Sequence, residues 1–289
     1  MKAFIKKSGK RILNYIADYL AREINKTLVM VEQSPSPESS DMILSDFNHY
    51  LHELRSNELS RMPREVKVLL SAGCSGKWYF EWIEKEYGMV HKHIGIEYYM
   101  PEPDDLPEYV EWISNTVGDM KEVSTESVDC VFSGQNIEHL LFDDLLGFML
   151  ESHRVLKKGG WLILDSPNRL VTSQIKWLQP EHIAEYTADE MEEMLLADGF
   201  TTINKKGILL MQSSSDVPPW TINMSEYAWK NDNGWLRRAI NARNRPNDSF
   251  IWWLEAKKTD NVDKEKLRLV CERIFNFARQ ERIEREGLT

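Results

Sequence analysis

The sequence predicts an α/β protein built on a doubly wound, mostly parallel sheet, with further helices at its N- and C-terminal ends. Three observations lead there. Short β-branched and aromatic runs alternate with amphipathic helical stretches. A glycine-bearing turn follows the first such run. The chain has 289 residues with 42% hydrophobic content, enough for one large domain carrying appendages. Strands that alternate with helices form βαβ units, and those units impose parallel strands.

The elements follow in chain order. Ile5, Ile12, Ile16, Leu20 and Ile24 recur near helical spacing with Lys6, Lys7, Lys10 and Arg11 between them, so residues 3–26 read as a basic amphipathic helix. Residues 34–41 hold two prolines and four serines, the composition of a linker. The implied division is a helical segment over 1–33, the linker 34–41, a body over 42–260 and a C-terminal helix within 261–289. Inside the body a helix over 42–59 leads to Pro63. Strands are expected at 66–71, 93–97, 110–113, 127–133 and 161–165, with helices at 77–87 and 142–156. Lys157-Lys158-Gly159-Gly160 reads as the stop of the second helix. Thr187 and Glu190 have capping-box spacing, and Asp198-Gly199 ends the helix they open. Two more strands, 201–211 and 249–257, flank an aromatic-rich insertion at 213–248. His91-Lys92-His93 reads as solvated surface.

Composition narrows the function classes. A net charge of −10 disfavours nucleic acid as a partner, because phosphate binding needs concentrated Lys and Arg. The charge is uneven: residues 1–27 carry seven basic and two acidic residues, so the acidic excess sits in the body. A basic helix over 3–26 suits either peripheral contact with an anionic membrane or packing on the body or on a second copy in an oligomer. Cys74, Cys130 and Cys271 lack any CxxC spacing, which supports neither a disulfide framework nor structural zinc. With no long apolar run and no signal-peptide core, a cytoplasmic protein is expected, with the inner membrane face as the alternative for the basic helix.

Ligands of doubly wound sheets sit at the carboxyl ends of the strands, so the first turn, Ser71-Ala72-Gly73-Cys74-Ser75-Gly76-Lys77, bears on chemistry. Trp78 stands where GxGxxG needs its third glycine, which disfavours a dinucleotide, and no GK[ST] follows to make a P-loop. The turn resembles the first motif of class I S-adenosylmethionine-dependent methyltransferases of the type 11 kind, with Ser75 at the usual second glycine and Ser71 at the usual acid. Glu97 at the end of the second strand, Val117-Gly118-Asp119-Met120 after the third, Ser133-Gly134-Gln135-Asn136-Ile137-Glu138-His139 after the fourth and Arg154-Val155-Leu156-Lys157-Lys158-Gly159-Gly160 extend the resemblance over about 66–257.

The resemblance implies a Rossmann-like sheet with an antiparallel last strand and S-adenosyl-L-methionine as cofactor. It places Ser71, Ala72, Gly73 and Cys74 at the methionyl part, Glu97 at the ribose, Asp119 with Met120 at the adenine, and Ser133, Gly134 and Gln135 between cofactor and substrate. Methyl transfer needs an aligned nucleophile and exclusion of water, with a base where the acceptor is a hydroxyl. His139 is the candidate catalytic base and a substrate contact, with packing against the cofactor loop as the other reading. His182, Asn168 and Arg169 are candidate substrate contacts or turn residues. Asp165 and His139 lack compact ligand spacing, so no metal is expected. In the insertion, Trp220, Tyr227, Trp229 and Trp235 with Arg237, Arg238, Arg243 and Arg245 suit a sugar ring or anionic glycan, or form a lid. The expected function is methyl transfer to a small-molecule or glycan acceptor, a sugar of a bacterial surface polysaccharide being favoured. Another metabolite, a lipid-linked precursor and a noncatalytic module of the same fold are the alternatives.

Overall fold

A computed structural model of the chain describes residues 37–174, 179–211 and 234–286. The basic helix expected over 3–26, together with Trp220, Tyr227 and Trp229, lies outside them. Seven strands form one sheet: β1 (Val68–Ala72), β2 (Lys92–Glu97), β3 (Val110–Ser114), β4 (Val128–Gly134), β5 (Leu156–Pro167), β6 (Phe200–Leu210) and β7 (Ser249–Lys258). Their spatial order is β3-β2-β1-β4-β5-β7-β6. β1 to β5 are mutually parallel, and β7, the last strand, runs antiparallel between β5 and β6.

Neighbouring strand residues divide between two apolar layers, as the two-residue period of a strand requires. Leu70, Val131, Leu164 and Trp252 face one side, with Leu145, Phe148, Met191 and Ile274. These helical partners come from α3 (Phe142–Val155), α5 (Ala188–Ala197) and α7 (Lys264–Glu286). Leu69, Phe132, Ile163 and Trp253 face the other, with Phe47 and Leu51 of α1 (Pro37–Leu59) and Phe80 and Ile83 of α2 (Lys77–Glu86). Two short helices complete the described chain, α4 (Arg169–Thr172) and α6 (Gly234–Ala242).

Three expectations need correction. Helix α1 starts at Pro37, inside the residues read as a linker; proline, with its fixed φ and missing N–H, is at home in a first helical turn. Lys157-Lys158-Gly159-Gly160 does not stop a helix. α3 already ends at Val155, and those four residues form a bulge in β5, where the pairing jumps from Val128↔Leu156 to Cys130↔Trp161 and Gly159 takes φ +72°. His93 is not solvated: it lies in β2, 2% exposed, and shares a 2.8 Å hydrogen bond with the Ser71 hydroxyl. Burial pushes its pKa down to about 3, so the ring is neutral. The capping box is present in both directions, Thr187 Oγ1 accepting from Glu190 N and Glu190 Oε2 from Thr187 N.

Asp198, at the C-terminal end of α5, is fully buried, and neither carboxyl oxygen has a hydrogen-bond partner. Burial raises its pKa well above the ordinary carboxylate value against a smaller lowering by Lys258, so the folded protein holds it protonated. The unfolded carboxyl ionises near pH 4. The stability this proton contributes is therefore complete below about pH 4 and lost as pH rises toward the folded value, at about 1.4 kcal/mol per pH unit. Asp198→Asn removes that dependence. Denaturant unfolding across pH 4–7 is expected to show the variant gaining on the wild type as pH rises.

Candidate functional site

The chain winds outward from β1 to β3 and then returns to place β4 beside β1, so the turns after β1 and β4 diverge around a cleft. On the β1 side, Gly73 and Cys74 both donate their N–H to Ile96 O, at 2.9 and 3.3 Å. Gly73 has φ +78°, and a Cβ there would lie 2.4 Å from Asn136 Oδ1 across the cleft, so conformation and close approach both require glycine. Ser75 and Gln135 also take positive φ on the two sides of the cleft, a strained geometry that non-glycine residues keep where the surrounding structure enforces it.

Glu97 ends β2 at this edge, 6% exposed. Its Oε2 accepts from Ser75 N at 2.9 Å, and its Oε1 accepts from Tyr98 N at 3.0 Å, Tyr99 N at 2.8 Å and Met100 N at 3.3 Å. The carboxylate thus ties the glycine turn to the loop after β2. The other expected cofactor residues divide. Ser133, Gly134 and Gln135 border the cleft, with Ser133 Oγ accepting from Asn136 Nδ2. The Ser71 hydroxyl is engaged by His93 inside the sheet. Cys74 Sγ packs toward Gly95 of β2, and burial pushes the thiol up to about 12. Met120 is a core side chain, and the Asp119 carboxylate, half exposed, pairs with Lys121 at 3.0 Å.

Sequence reasoning missed Arg55. This α1 residue donates from Nε to both oxygens of the fully buried Asp165, at 3.1 and 3.0 Å, and stacks over Trp82 at 5.1 Å. Gln135 Nε2 donates to the same Asp165 at 2.7 Å. The guanidinium lies over Gly134, where a Cβ would meet Arg55 Nη2 at 2.5 Å, and Nη2 is buried without a hydrogen-bond partner. A pairing across 110 residues leaves no local trace in sequence.

Beyond β4, a 3-10 turn spans Ile137–His139. Glu138 O accepts from Ile183 N at 2.6 Å and Ala184 N at 3.2 Å, which brings the loop holding His182 against the turn. The His139 and His182 rings meet edge to face at 4.9 Å. One ligand-capable atom from each of Glu138, His139 and His182 lies within 4.8 Å of the others, a grouping that the sequence spacing did not reveal. Glu138 is fully buried; Ser166 Oγ donates to its Oε2 at 3.0 Å while Oε1 has no partner, and burial raises its carboxyl to about 8. Glu185 has the opposite fate. Burial alone would raise it, but hydrogen bonds from His182 and Thr172 and the Arg282 charge hold it near 2.

Asn168 and Arg169, candidates for the acceptor pocket or for a turn, are committed to the fold. Asn168 caps α4 and donates its side-chain amide to the carbonyls of Pro246, Asn247 and Ser249, all at 3.0 Å. Arg169 is buried and pairs with Glu190 and Glu281. Three insertion arginines are similarly engaged: Arg238 donates to Leu210 O, Arg243 pairs with Glu58 and Arg245 with Asp248.

Residues 70–164 match the family model of a methyltransferase domain. This stretch is similar to class I S-adenosylmethionine-dependent methyltransferases. Similar proteins include a probable S-adenosylmethionine-dependent methyltransferase of Mycobacterium tuberculosis, 37% identical over 84 residues, which are 28% of this chain and 30% of that protein. A counterpart in Mycolicibacterium smegmatis is 38% identical over 84 residues, 28% of this chain and 32% of that protein. The match thus spans about a third of these relatives' length. Among solved structures, a chain of the Haloferax volcanii complex between the Trm112 methyltransferase activator and a methyltransferase superposes with TM-score 0.53 at 13% identity, covering 76% of this chain and 94% of that one, which is a likeness of fold. The turns after β1 and β4 lie within the matched stretch, and Arg55 meets Gly134 from outside it. No helix among the described residues is long and apolar enough to cross a membrane.

Removing one partner of a buried ion pair leaves an uncompensated charge, at a cost of about 3–5 kcal/mol. Arg55→Met is expected to lose about that much in chemical denaturation. Adding Asp165→Asn should recover part of the loss, a non-additivity that a double-mutant cycle measures.

Proposed function

We propose that the protein transfers a methyl group from S-adenosylmethionine to a hydroxyl of a small polar acceptor, with a sugar as the favoured class. The observation that carries this is the cleft at the winding reversal. Gly73 brings bare backbone to within contact of Asn136 there, and Glu97 ends β2 beside it. The residues fit the cofactor. The Glu97 carboxylate, which holds four backbone amides, would accept the ribose hydroxyls in exchange for some of them. Arg55 Nη2, buried with no acceptor, offers a donor for an anionic group such as a cofactor carboxylate. Bound there, the cofactor would supply a sulfonium whose methyl carbon is electrophilic.

The chain's own part is orientation and proton handling. His139 Nδ1 donates to Glu181 O at 3.0 Å, which places the ring's lone pair on Nε2. His139 is then the group that activates the acceptor hydroxyl. His182, hydrogen-bonded through Nδ1 to Glu185 at 2.7 Å, stands beside it in a fixed orientation. The aromatic residues of the insertion, Trp220, Tyr227, Trp229 and Trp235, support a sugar as acceptor on composition, because ring faces stack on sugars.

Titration calorimetry with S-adenosylhomocysteine tests this reading. Wild-type protein is expected to bind one equivalent at micromolar concentration. Glu97→Gln keeps an acceptor for the loop amides but loses the charge and one ribose contact, roughly 3 kcal/mol and so a Kd about 100-fold weaker. A folded wild type that takes up no ligand would overturn the proposal.

A further inference from the structure

We infer that Glu138, His139 and His182 form a binding site for one divalent transition-metal ion, placed to hold the acceptor hydroxyl; the acceptor role rests on the methyl-transfer reading above. Two observations carry the site. The first is the grouping: a carboxylate oxygen and two imidazole nitrogens from separate segments lie within 4.8 Å of one another. The second is independent of it. Glu138 is 0% exposed, and its Oε1 is buried without any hydrogen-bond partner. Leaving such an atom unsatisfied is costly, and a cation satisfies it directly.

The surroundings of the two rings match what metal-bound histidines need. A ligating imidazole donates its other N–H to a carbonyl or carboxylate, which fixes the tautomer and the ring plane. His139 Nδ1 donates to Glu181 O at 3.0 Å, and His182 Nδ1 donates to Glu185 Oε1 at 2.7 Å. Both lone pairs therefore fall on Nε2. Glu185 is itself fixed by Thr172 Oγ1 and by Arg282 at 3.5 Å, so the His182 ring is held from behind. Bonds of about 2.0–2.2 Å put neighbouring ligand atoms roughly 3 Å apart, so the group has to close by about an ångström or two. His139, partly exposed, marks the side from which an ion would enter.

Two imidazoles and one carboxylate suit zinc, iron, cobalt or manganese better than magnesium or calcium, which prefer all-oxygen sets. Three protein ligands leave coordination positions open. A hydroxyl of the acceptor bound at one of them becomes more acidic, and its proton passes to water. The oxygen lone pair then forms the new bond to the methyl carbon as the carbon–sulfur bond breaks, its electron pair remaining on sulfur, which becomes a neutral thioether. With its Nε2 lone pair on the ion, His139 then acts on the hydroxyl through the metal in place of taking the proton itself.

The test uses the full-length, untagged protein after EDTA treatment and dialysis, titrated with Co2+ and followed by its visible absorption and by calorimetry. The expected result is one equivalent bound at micromolar Kd with a nitrogen- and oxygen-ligand spectrum, competed by Zn2+. His139→Ala, on a partly exposed residue, should weaken binding at least 30-fold with the thermal melt unchanged. Glu185→Gln should weaken it about 10-fold through loss of ring orientation. Equal Co2+ binding by wild type and His139→Ala, or no binding by folded wild type, overturns the site. Neither result bears on S-adenosylhomocysteine binding, so failure of the metal site and failure of the methyl-transfer reading are separately visible.

Discussion

A parallel sheet covered by helices on both faces has one free direction in which to gather functional groups, the edge where its strands end. Here β1 to β5 all deliver their C-terminal ends to that edge, and the return of the chain from β3 to β4 opens it between β1 and β4. The site depends on this constraint, because the carboxylates of Glu97, Asp165 and Glu138 at the edge are withdrawn from water by the layers above and below. Each must then be compensated by what lies within a few ångströms. Glu97 is compensated by four backbone amides of the two turns it joins. Asp165 is compensated by a guanidinium and a side-chain amide.

Glu138 breaks the pattern. It sits at the same edge with one hydroxyl donor and one bare oxygen, close enough to Asp165 and Glu185 for their charges to oppose its ionisation. An apolar residue at that position would cost nothing comparable, since a half-satisfied buried polar group is worse than none. Local departures from good packing chemistry concentrate at functional sites. The effort the fold spends on Glu138's neighbours agrees: Asn168 pins the turn after β5 to three carbonyls, Arg169 locks α4 to α5 and α7, and the backbone of Glu138 holds the His182 loop. The expected substrate contacts Asn168 and Arg169 thus turn out to build the frame in which His182 is held.

What could be read in the sequence was what repeats or lies close in the chain. The strand runs, the capping box at Thr187 and Glu190 and the glycine turn at Gly73 each depend on residues a few positions apart, and each forms as the local chemistry dictates. The failures have a common cause in distance. His91-Lys92-His93 reads as surface because it leads into the second strand at the end away from the site, yet the partner of His93 is Ser71 of the adjacent strand. Lys157 to Gly160 look like a helix stop, and only pairing with β4 makes them a bulge. Arg55 carries no mark of function among the charged residues of α1, since Asp165 and Gly134 meet it only once the sheet is assembled.

The charge distribution takes on a sharper meaning at this edge. The net charge of −10 argues against a nucleic-acid partner through its average, but at the site what matters is which acids are neutralised locally. Asp165 meets a full cation in Arg55, whereas Glu97 is held only by neutral amides beside the glycine turn. Arg55 Nη2 is left buried over Gly134 without an acceptor. The pairing of Arg55 with Asp165 through Nε is what leaves Nη2 without an acceptor. A lysine at position 55, with one nitrogen, could not hold Asp165 and offer a separate donor over Gly134 in the same fixed geometry.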